Sequence, residues 1–426
     1  MDPIKQEVLD IATRARQAGG VLACSTGQQR DDALRSCAKA IRQAREQIQA
    51  ANAEDLARSD ELGLSEAMVD RLALTDTRIE GMARALEQIA SQVDPVGQTI
   101  SAANRPNGLR VEKRRVPIGV VGIVFESRPN VTADAAGLCI KSGNACILRG
   151  GKEAIHSNLA IALAIRTGLA AASLPAECVT VLDKTDRAFV PALATACGYI
   201  DLIIPRGGES LIRAVVEAAT IPVIKHYTGN CHVYIHTAAE PDMARRITLN
   251  AKTQRPGVCN AAETLLIDQT IAQAQLPGLA KELIAAGVEL RVCEQSAKIL
   301  AQAGIDSEKI RPVCDEDWAE EFLNLTLAVK IVDGLEAAIA HINTFGSKHT
   351  DAIITAELSA AGRFAQAVDT ASVMVNASTR FSDGGEYGLG AEIGISTDKL
   401  HARGPMGAAD LTTYKWIVTG QGQVRE

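Results

Sequence analysis

"IGVVGIVFESRPNVTADAAGLCIKSGNACILRGG", residues 118–151, decides the fold. Its first eight residues, Ile118 to Phe125, hold three valines and two isoleucines and no charge. So short an apolar run reads as a strand buried on both faces. A polar turn follows, then "ADAAGLCIKSG" with helical character, then "NACILRGG" as a second buried strand. Strand, helix and strand within roughly thirty residues form a βαβ unit, whose strands must run parallel.

The same rhythm continues outward. "SNLAIALAIRTGLAAA" reads as a helix, "CVTVLD" as a strand, "AFVPALATACG" as a helix and "IDLIIPRGG" as a strand. "ESLIRAVVEAA" is a further helix before a strand in "PVIKHY". After Gly229 it restarts with "CHVYIH", "ETLLID", "VELRVC", "LAVKIV", "TDAIIT" and "SVMVNA" as strands. The expected fold is α/β, two doubly wound parallel-sheet domains joined near Gly229. The first hundred residues read as helices. In "DDALRSCAKAIRQAREQI", Leu34, Cys37, Ile41 and Ile48 share a face, and "TRIE" (77–80) has the spacing of a capping box. "NRPNGLRVEKRRVPIG" (104–119) suits an extended arm or hairpin, and "DLTTYKWIVTGQGQVRE" a strand pair or tail.

Composition narrows the function. The chain has 426 residues, 47% hydrophobic and 22% charged, with a net charge of −7. That suits an enzyme with a large core and disfavours nucleic acid, which needs a basic surface. The greasiest stretch, "LAIALAIRTGLAAASLP" (159–175), is broken by Arg166 and is expected to be too short to span a membrane. We expect a cytoplasmic protein whose ten cysteines stay reduced, and no two of them form a C-x-x-C pair.

Several loops carry polar groups where a strand ends, the edge at which open α/β sheets bind ligands. In "IIPRGGESL", Gly207 and Gly208 precede a helix whose start favours anions, although a plain tight turn accounts for a lone Gly-Gly as well. Arg149 and Lys152 in "ILRGGKEA" suit a phosphate, or are two solvated charges. Arg128 and Asn130 lie in "FESRPNV", and Arg380 lies in the long glycine-rich loop 376–394. His226, His232 and His236 fall in or beside a strand without a carboxylate pair, so structural roles are expected over a metal site. Among the ten cysteines, Cys259 alone sits in a loop of the form "NAKTQRPGVCN", with Lys252 and Arg255 upstream as cations that favour a thiolate. Taken alone, it fits a buried small residue equally.

A resemblance decides between these readings. "VPIGVVGIVFESRPNVTADAAGLCIKSGNACILRGGKEA", "IIPRGG", "HYTGNCHVYI", "NAKTQRPGVCNAAETLLI", "LAVKIVDGLEAAIAHINTFGSKHTDAII", "NASTRFSDGGEYGLGAEIGIS" and "KLHARGPMG" are similar to gamma-glutamyl phosphate reductases, a branch of the aldehyde dehydrogenase superfamily. They occur in one order and cover most of the chain from Arg115 onward. The resemblance implies Cys259 as the catalytic nucleophile, with Asn130 or a neighbouring backbone N–H as the oxyanion donor. It places Gly207 and Gly208 at the cofactor phosphates, Arg149 and Lys152 at the adenosine ribose with the 2′-phosphate of NADPH, and Glu321 at the nicotinamide ribose. Arg128, Arg380 and Arg403 would hold the substrate's phosphate and α-carboxylate. Residues 1–103 and 116–229 would form the NADPH-binding domain, 230–403 the catalytic domain, and 104–115 with 404–426 an oligomerisation arm.

The implied activity is NADPH-dependent reduction of L-glutamyl 5-phosphate to L-glutamate 5-semialdehyde through a cysteine thioester, the second step of proline synthesis. A homo-oligomer and functional coupling to glutamate 5-kinase are implied with it; no metal, nucleic acid or membrane is. One departure bears on mechanism. Hydrolytic members carry a glutamate base in a Glu-Leu-Gly-Gly turn, whereas this chain reads "HYTGN" there, without a carboxylate. A hydrolytic aldehyde dehydrogenase, a non-catalytic binding protein and a thiol hydrolase are the competing readings.

Overall fold

In the computed structural model, which describes residues 2–425, the deciding stretch forms the expected unit. Strands Val120–Phe125 and Ala145–Arg149 pair in parallel around the helix Asn130–Lys141. Side chains alternate along the first strand. Val121, Ile123 and Phe125 enter one core with Leu34, Leu86, Leu138 and Ile161, while Val120 and Val124 enter another with Val8, Ala12, Leu193 and Val215. Helices therefore cover both faces, which is why this strand is apolar at every position.

The sheet has four parallel strands, in the order Val179–Val181, Ala145–Arg149, Val120–Phe125, Leu202–Arg206. The strand expected at 222–227 is not formed. Val223 makes only a bridge to Ile203, with Ile203 N–H donating to Pro222 O and Ile224 N–H to Ile203 O, and the chain then leaves the sheet. The N-terminal helices are Pro3–Ala23, Gly27–Gln43, Arg45–Ala57, Glu66–Leu72 and Asp76–Ser91. The last is capped by Thr75, whose side chain accepts from Arg78 N–H; the expected box at Thr77 lies inside the helix. Residues 104–119 supply the turn and second strand of a hairpin that begins earlier, at Thr99. Strand Thr99–Asn104 pairs antiparallel with Arg110–Pro117, and Thr412–Thr419 adds as a single third strand. The apolar helical stretch Lys152–Ala171 is longer than expected, twenty residues, and by length and composition alone could cross a membrane. Its Ile161, Ile165 and Leu169 are buried in the first core.

The other unit is a seven-stranded parallel sheet. Its order is Ile310–Pro312, Glu289–Val292, Thr326–Val332, Ala262–Asp268, Cys231–Ile235, Thr350–Ile354, Ser372–Val375. All six strands expected after Gly229 are present. One unit comprises 1–225, 388–394 and 400–426, and the other 226–387 and 395–399. The segments 388–394 and 400–403, expected with the second domain, thus group with the first.

Candidate active site

Cys259 lies on the turn between helix Pro241–Thr253 and strand Ala262–Asp268, partly exposed. Two neighbours fix its backbone. The Cys231 thiol donates to Cys259 O at 3.2 Å. Gly229 packs so closely that a Cβ there would stand 2.0 Å from the same oxygen. Burial raises the Cys231 thiol well above its ordinary value, which suits a neutral donor. Beneath the turn, Lys252 and Glu263 form a fully buried ion pair at 2.5 Å. Burial pushes Glu263 up to about 7 and Lys252 down, and their contact opposes both changes. Lys252, expected as a cation beside the thiol, is therefore engaged underneath it. Glu263 also accepts from Leu323 N–H, at a non-glycine residue with φ of 54°. Glu321, two residues earlier, is close enough for its charge to act on Cys231, Lys252 and Glu263.

Arg380 is close enough for the Cys259 sulfur and Arg255 both to act on it. Arg380 Nε donates to Gln254 Oε1 at 2.9 Å. Burial first, then the neighbouring Arg255, hold Arg380 below its ordinary value, while the Cys259 sulfur acts in the opposite sense. A guanidinium that feels the sulfur, with a second guanidinium next to it, suits an anion. Asn260 Nδ2 donates to Ser382 O at 2.9 Å and ties the loop carrying Arg380 to the cysteine turn.

Histidine 226 is the residue that sequence reasoning placed least well. His232 and His236 are structural: their Nδ1 atoms meet Asp351 Oδ1 at 2.9 Å and Thr355 Oγ1 at 2.8 Å. His226 instead joins Cys259 and His349, with one side-chain nitrogen or sulfur of each within 4.8 Å of the others. Its Nδ1 lies 2.9 Å from Ile395 O. A carbonyl only accepts, so Nδ1 carries a hydrogen, and in the neutral ring the lone pair is on Nε2. The signal was present in "HYTGN", since His226 begins the segment where hydrolytic relatives keep their base.

In the other unit, Ser127 adopts φ of 43°, and its N–H and hydroxyl both donate to Glu153 Oε1, at 2.7 and 2.8 Å. That pins the turn bearing Arg128, which is partly exposed. One amide hydrogen of Asn130 is given to Asp134 Oδ2 at 2.9 Å, and burial pushes Asp134 up to about 6. Gly208 opens helix Glu209–Ala218, and its N–H donates to Glu126 Oε2 at 2.9 Å. A Cβ at Gly207 would stand 2.4 Å from that same carboxylate oxygen. Arg149 and Lys152 are not equivalent: Arg149 is buried and donates to Thr185 O at 2.9 Å, whereas Lys152 is exposed. Arg403 lies partly buried in the C-terminal segment of this unit.

A parallel-sheet scaffold with a partly exposed cysteine on a strand-entry turn and a glycine turn that donates to an anion defines a class. A model of the aldehyde dehydrogenase family matches residues 4–298, and the chain belongs to that family. It is 50% identical, over 99% of both chains, to the gamma-glutamyl phosphate reductase of Moorella thermoacetica. The crystal structure of gamma-glutamyl phosphate reductase from Thermotoga maritima superposes with a TM-score of 0.94 at 43% identity, covering 99% of this chain and 100% of that one. The enzyme of the same name from Saccharomyces cerevisiae matches at 32% identity and a TM-score of 0.53, over 98% of each chain.

Proposed function

We infer that this chain reduces L-glutamyl 5-phosphate to L-glutamate 5-semialdehyde and phosphate with NADPH, through a thioester on Cys259. The observation that carries the reading is 50% identity to a gamma-glutamyl phosphate reductase along essentially the whole chain. Production of the semialdehyde from glutamate, ATP and a glutamate kinase, with stoichiometric loss of NADPH absorbance, tests it. Absence of product with a folded enzyme would overturn it.

The glycine turn fits a nicotinamide dinucleotide. Its Gly208 N–H already donates to an anionic oxygen, that of Glu126, in the way a phosphate oxygen would be bound, and a Cβ at Gly207 would obstruct it. Gly207 and Gly208 would hold the phosphates, Lys152 the 2′-phosphate that distinguishes NADPH, and Glu321 the nicotinamide ribose. When bound, the cofactor supplies a hydride to the thioester carbon.

Cys259 attacks the acyl carbon as its proton passes to His226 Nε2. The C–O bond to phosphate breaks, and the leaving phosphate takes that proton away. Arg255 and Arg380 favour the anionic substrate here, with Arg128 and Arg403 as further anion ligands. After reduction, the oxyanion is held by donors that include Asn130 or a backbone N–H. Cleavage of the C–S bond then releases the aldehyde, and the sulfur recovers a proton. One proton is consumed per turnover.

The three-stranded sheet presents Tyr414, Trp416 and Val418 on alternate, exposed positions of one strand. Such a face supports assembly with a second copy. The ten unpaired thiols support a reducing, cytoplasmic location. A labile acyl phosphate supports coupling to the kinase that makes it.

A further inference from the structure

We propose that His226, His349 and Cys259 form a reversible inhibitory site for a divalent cation of the Zn²⁺ class. Their ligand atoms lie within 4.8 Å of one another. Imidazole nitrogen and thiolate sulfur are the ligands this ion prefers, at about 2.0–2.1 and 2.3 Å. Tetrahedral geometry at those lengths puts ligand atoms roughly 3.3–3.6 Å apart. Closing from 4.8 Å needs side-chain rotation of about 1 Å rather than backbone rearrangement.

The surroundings are those of a metal ligand set. In both rings Nδ1 is turned to a protein oxygen: Ile395 O for His226 and Thr350 Oγ1 for His349, each at 2.9 Å. Zinc-binding histidines are oriented in this way, through the nitrogen that does not meet the metal. We therefore assign Nε2 of each ring to the ion. The rings already meet edge to face, with centroids 5.6 Å apart. Cys231 lies nearby, 3.7 Å from His349 Nδ1, but its thiol is buried and donates to Cys259 O. The fourth position is thus left to water or an anion.

Binding exchanges the Cys259 proton for the metal, releasing H⁺ and forming a Zn–S bond. The sulfur cannot then attack a carbonyl, so occupancy inhibits. Arg380, whose charge acts on the thiol, and Arg255 next to it oppose a cation, which keeps the site weaker than a structural zinc site and open to chelators. Inhibition rests on the thiol chemistry proposed above; binding does not.

The test is to titrate the full-length, chelator-stripped enzyme with Co²⁺, then with Zn²⁺. One Co²⁺ per chain should bind with a thiolate-to-metal charge-transfer band. Zn²⁺ should displace it, activity should fall in parallel, and chelator should restore it. C259S should abolish the band, and H349N should weaken binding and inhibition at least about 100-fold while retaining reductase activity, since loss of even an outer-shell partner costs roughly 10–100-fold. If H349N proves unfolded by its melting curve, C259S, which replaces sulfur by oxygen alone, still decides. A band that persists in C259S, no band at all, or equal Zn²⁺ sensitivity in wild type and folded H349N overturns the proposal. A different natural substrate would leave the cobalt spectrum unchanged, so the two readings fail separately.

Discussion

Gly229→Ala separates the positioning of the thiol from its chemistry. Gly229 is not in the left-handed region, so alanine costs nothing in its own backbone conformation. The cost is contact. The new Cβ would stand 2.0 Å from Cys259 O, 2.5 Å from its Cα and 2.6 Å from its carbonyl carbon. Real Cβ atoms essentially never approach below 3.0 Å, so backbone must move by at least 3.0 − 2.0 = 1.0 Å. No flexible side chain is there to yield. Either the cysteine turn retreats, or the segment bearing His226 does, and both change the relation of sulfur to imidazole. A misplacement of about 1 Å in a reacting group can cost 10²-fold, roughly 2.7 kcal/mol of barrier. We expect kcat to fall about 100-fold, with the substrate KM changed far less and NADPH binding retained, because the glycine turn and Lys152 belong to the other unit. The checks are steady-state kinetics, NADPH fluorescence titration and a melting curve on the same preparation. Wild-type kcat in a folded G229A would refute the reasoning and detach Cys259's placement from the chemistry.

Cys259→Ala should abolish reduction yet bind NADPH, and substantial turnover by it would end the thioester mechanism. Lys152→Ala should weaken NADPH about tenfold or more while sparing NADH, as loss of one charge-assisted contact does; Arg149→Ala should instead lower the melting temperature, because Arg149 is buried on Thr185 O. Asp134→Asn tests the carboxyl that burial pushes up to about 6. A raised folded pKa gives stability that is present below the unfolded value and lost as pH rises through 6, so the variant should melt like wild type below about pH 4 and be more stable above pH 6, by on the order of 1–3 kcal/mol; equal melting at both ends would contradict that. In reverse, with the semialdehyde and NADP⁺, turnover should require added phosphate and stall after one NADPH per active site without it. Steady glutamate production in phosphate-free buffer would mean that a base, with His226 of the cysteine cluster foremost, activates water as well, and would move the assignment toward a hydrolytic dehydrogenase.

The parts of the fold that were legible are those where one local signal acts alone. Ten of the eleven parallel strands announced themselves as short, mostly apolar runs, whereas Ile310–Pro312, largely exposed at the sheet edge, did not. "PVIKHY" looks the same but fails, because only Val223 lies beside Ile203 before the chain turns out toward the junction; edge length is set by tertiary packing, which composition does not carry. Thr75 was missed as a cap because "TRIE" fits the box spacing two residues later. At the site, residue type was legible and allegiance was not. Lys252 and Arg255 are both cations upstream of the thiol, and only the fold reveals that Glu263, on the next strand, claims the lysine. Arg149 and Lys152 look alike in "LRGGK", yet one caps a carbonyl and the other faces solvent. His349 stands 90 residues from Cys259, so no spacing rule could join them, and only the neighbouring strands Cys231–Ile235 and Thr350–Ile354 bring the cluster together.

Under the proposed mechanism, an imidazole at His226 rather than a carboxylate follows from what this chemistry asks of a base. A hydrolytic enzyme must take a proton from water and hold it while the thioester is cleaved. A reductase starting from an acyl phosphate needs a group that relieves the thiol of its proton and then surrenders it to departing phosphate. Neutral imidazole with Nδ1–H anchored on Ile395 O offers one lone pair at Nε2 and becomes a donor as soon as it is protonated. It therefore serves both halves of the transfer without leaving a fixed negative charge beside the sulfur. A carboxylate there would add such a charge next to a thiolate and to a substrate carrying phosphate and α-carboxylate. In a site where Arg255 and Arg380 gather anions, that added repulsion would oppose the very binding they provide.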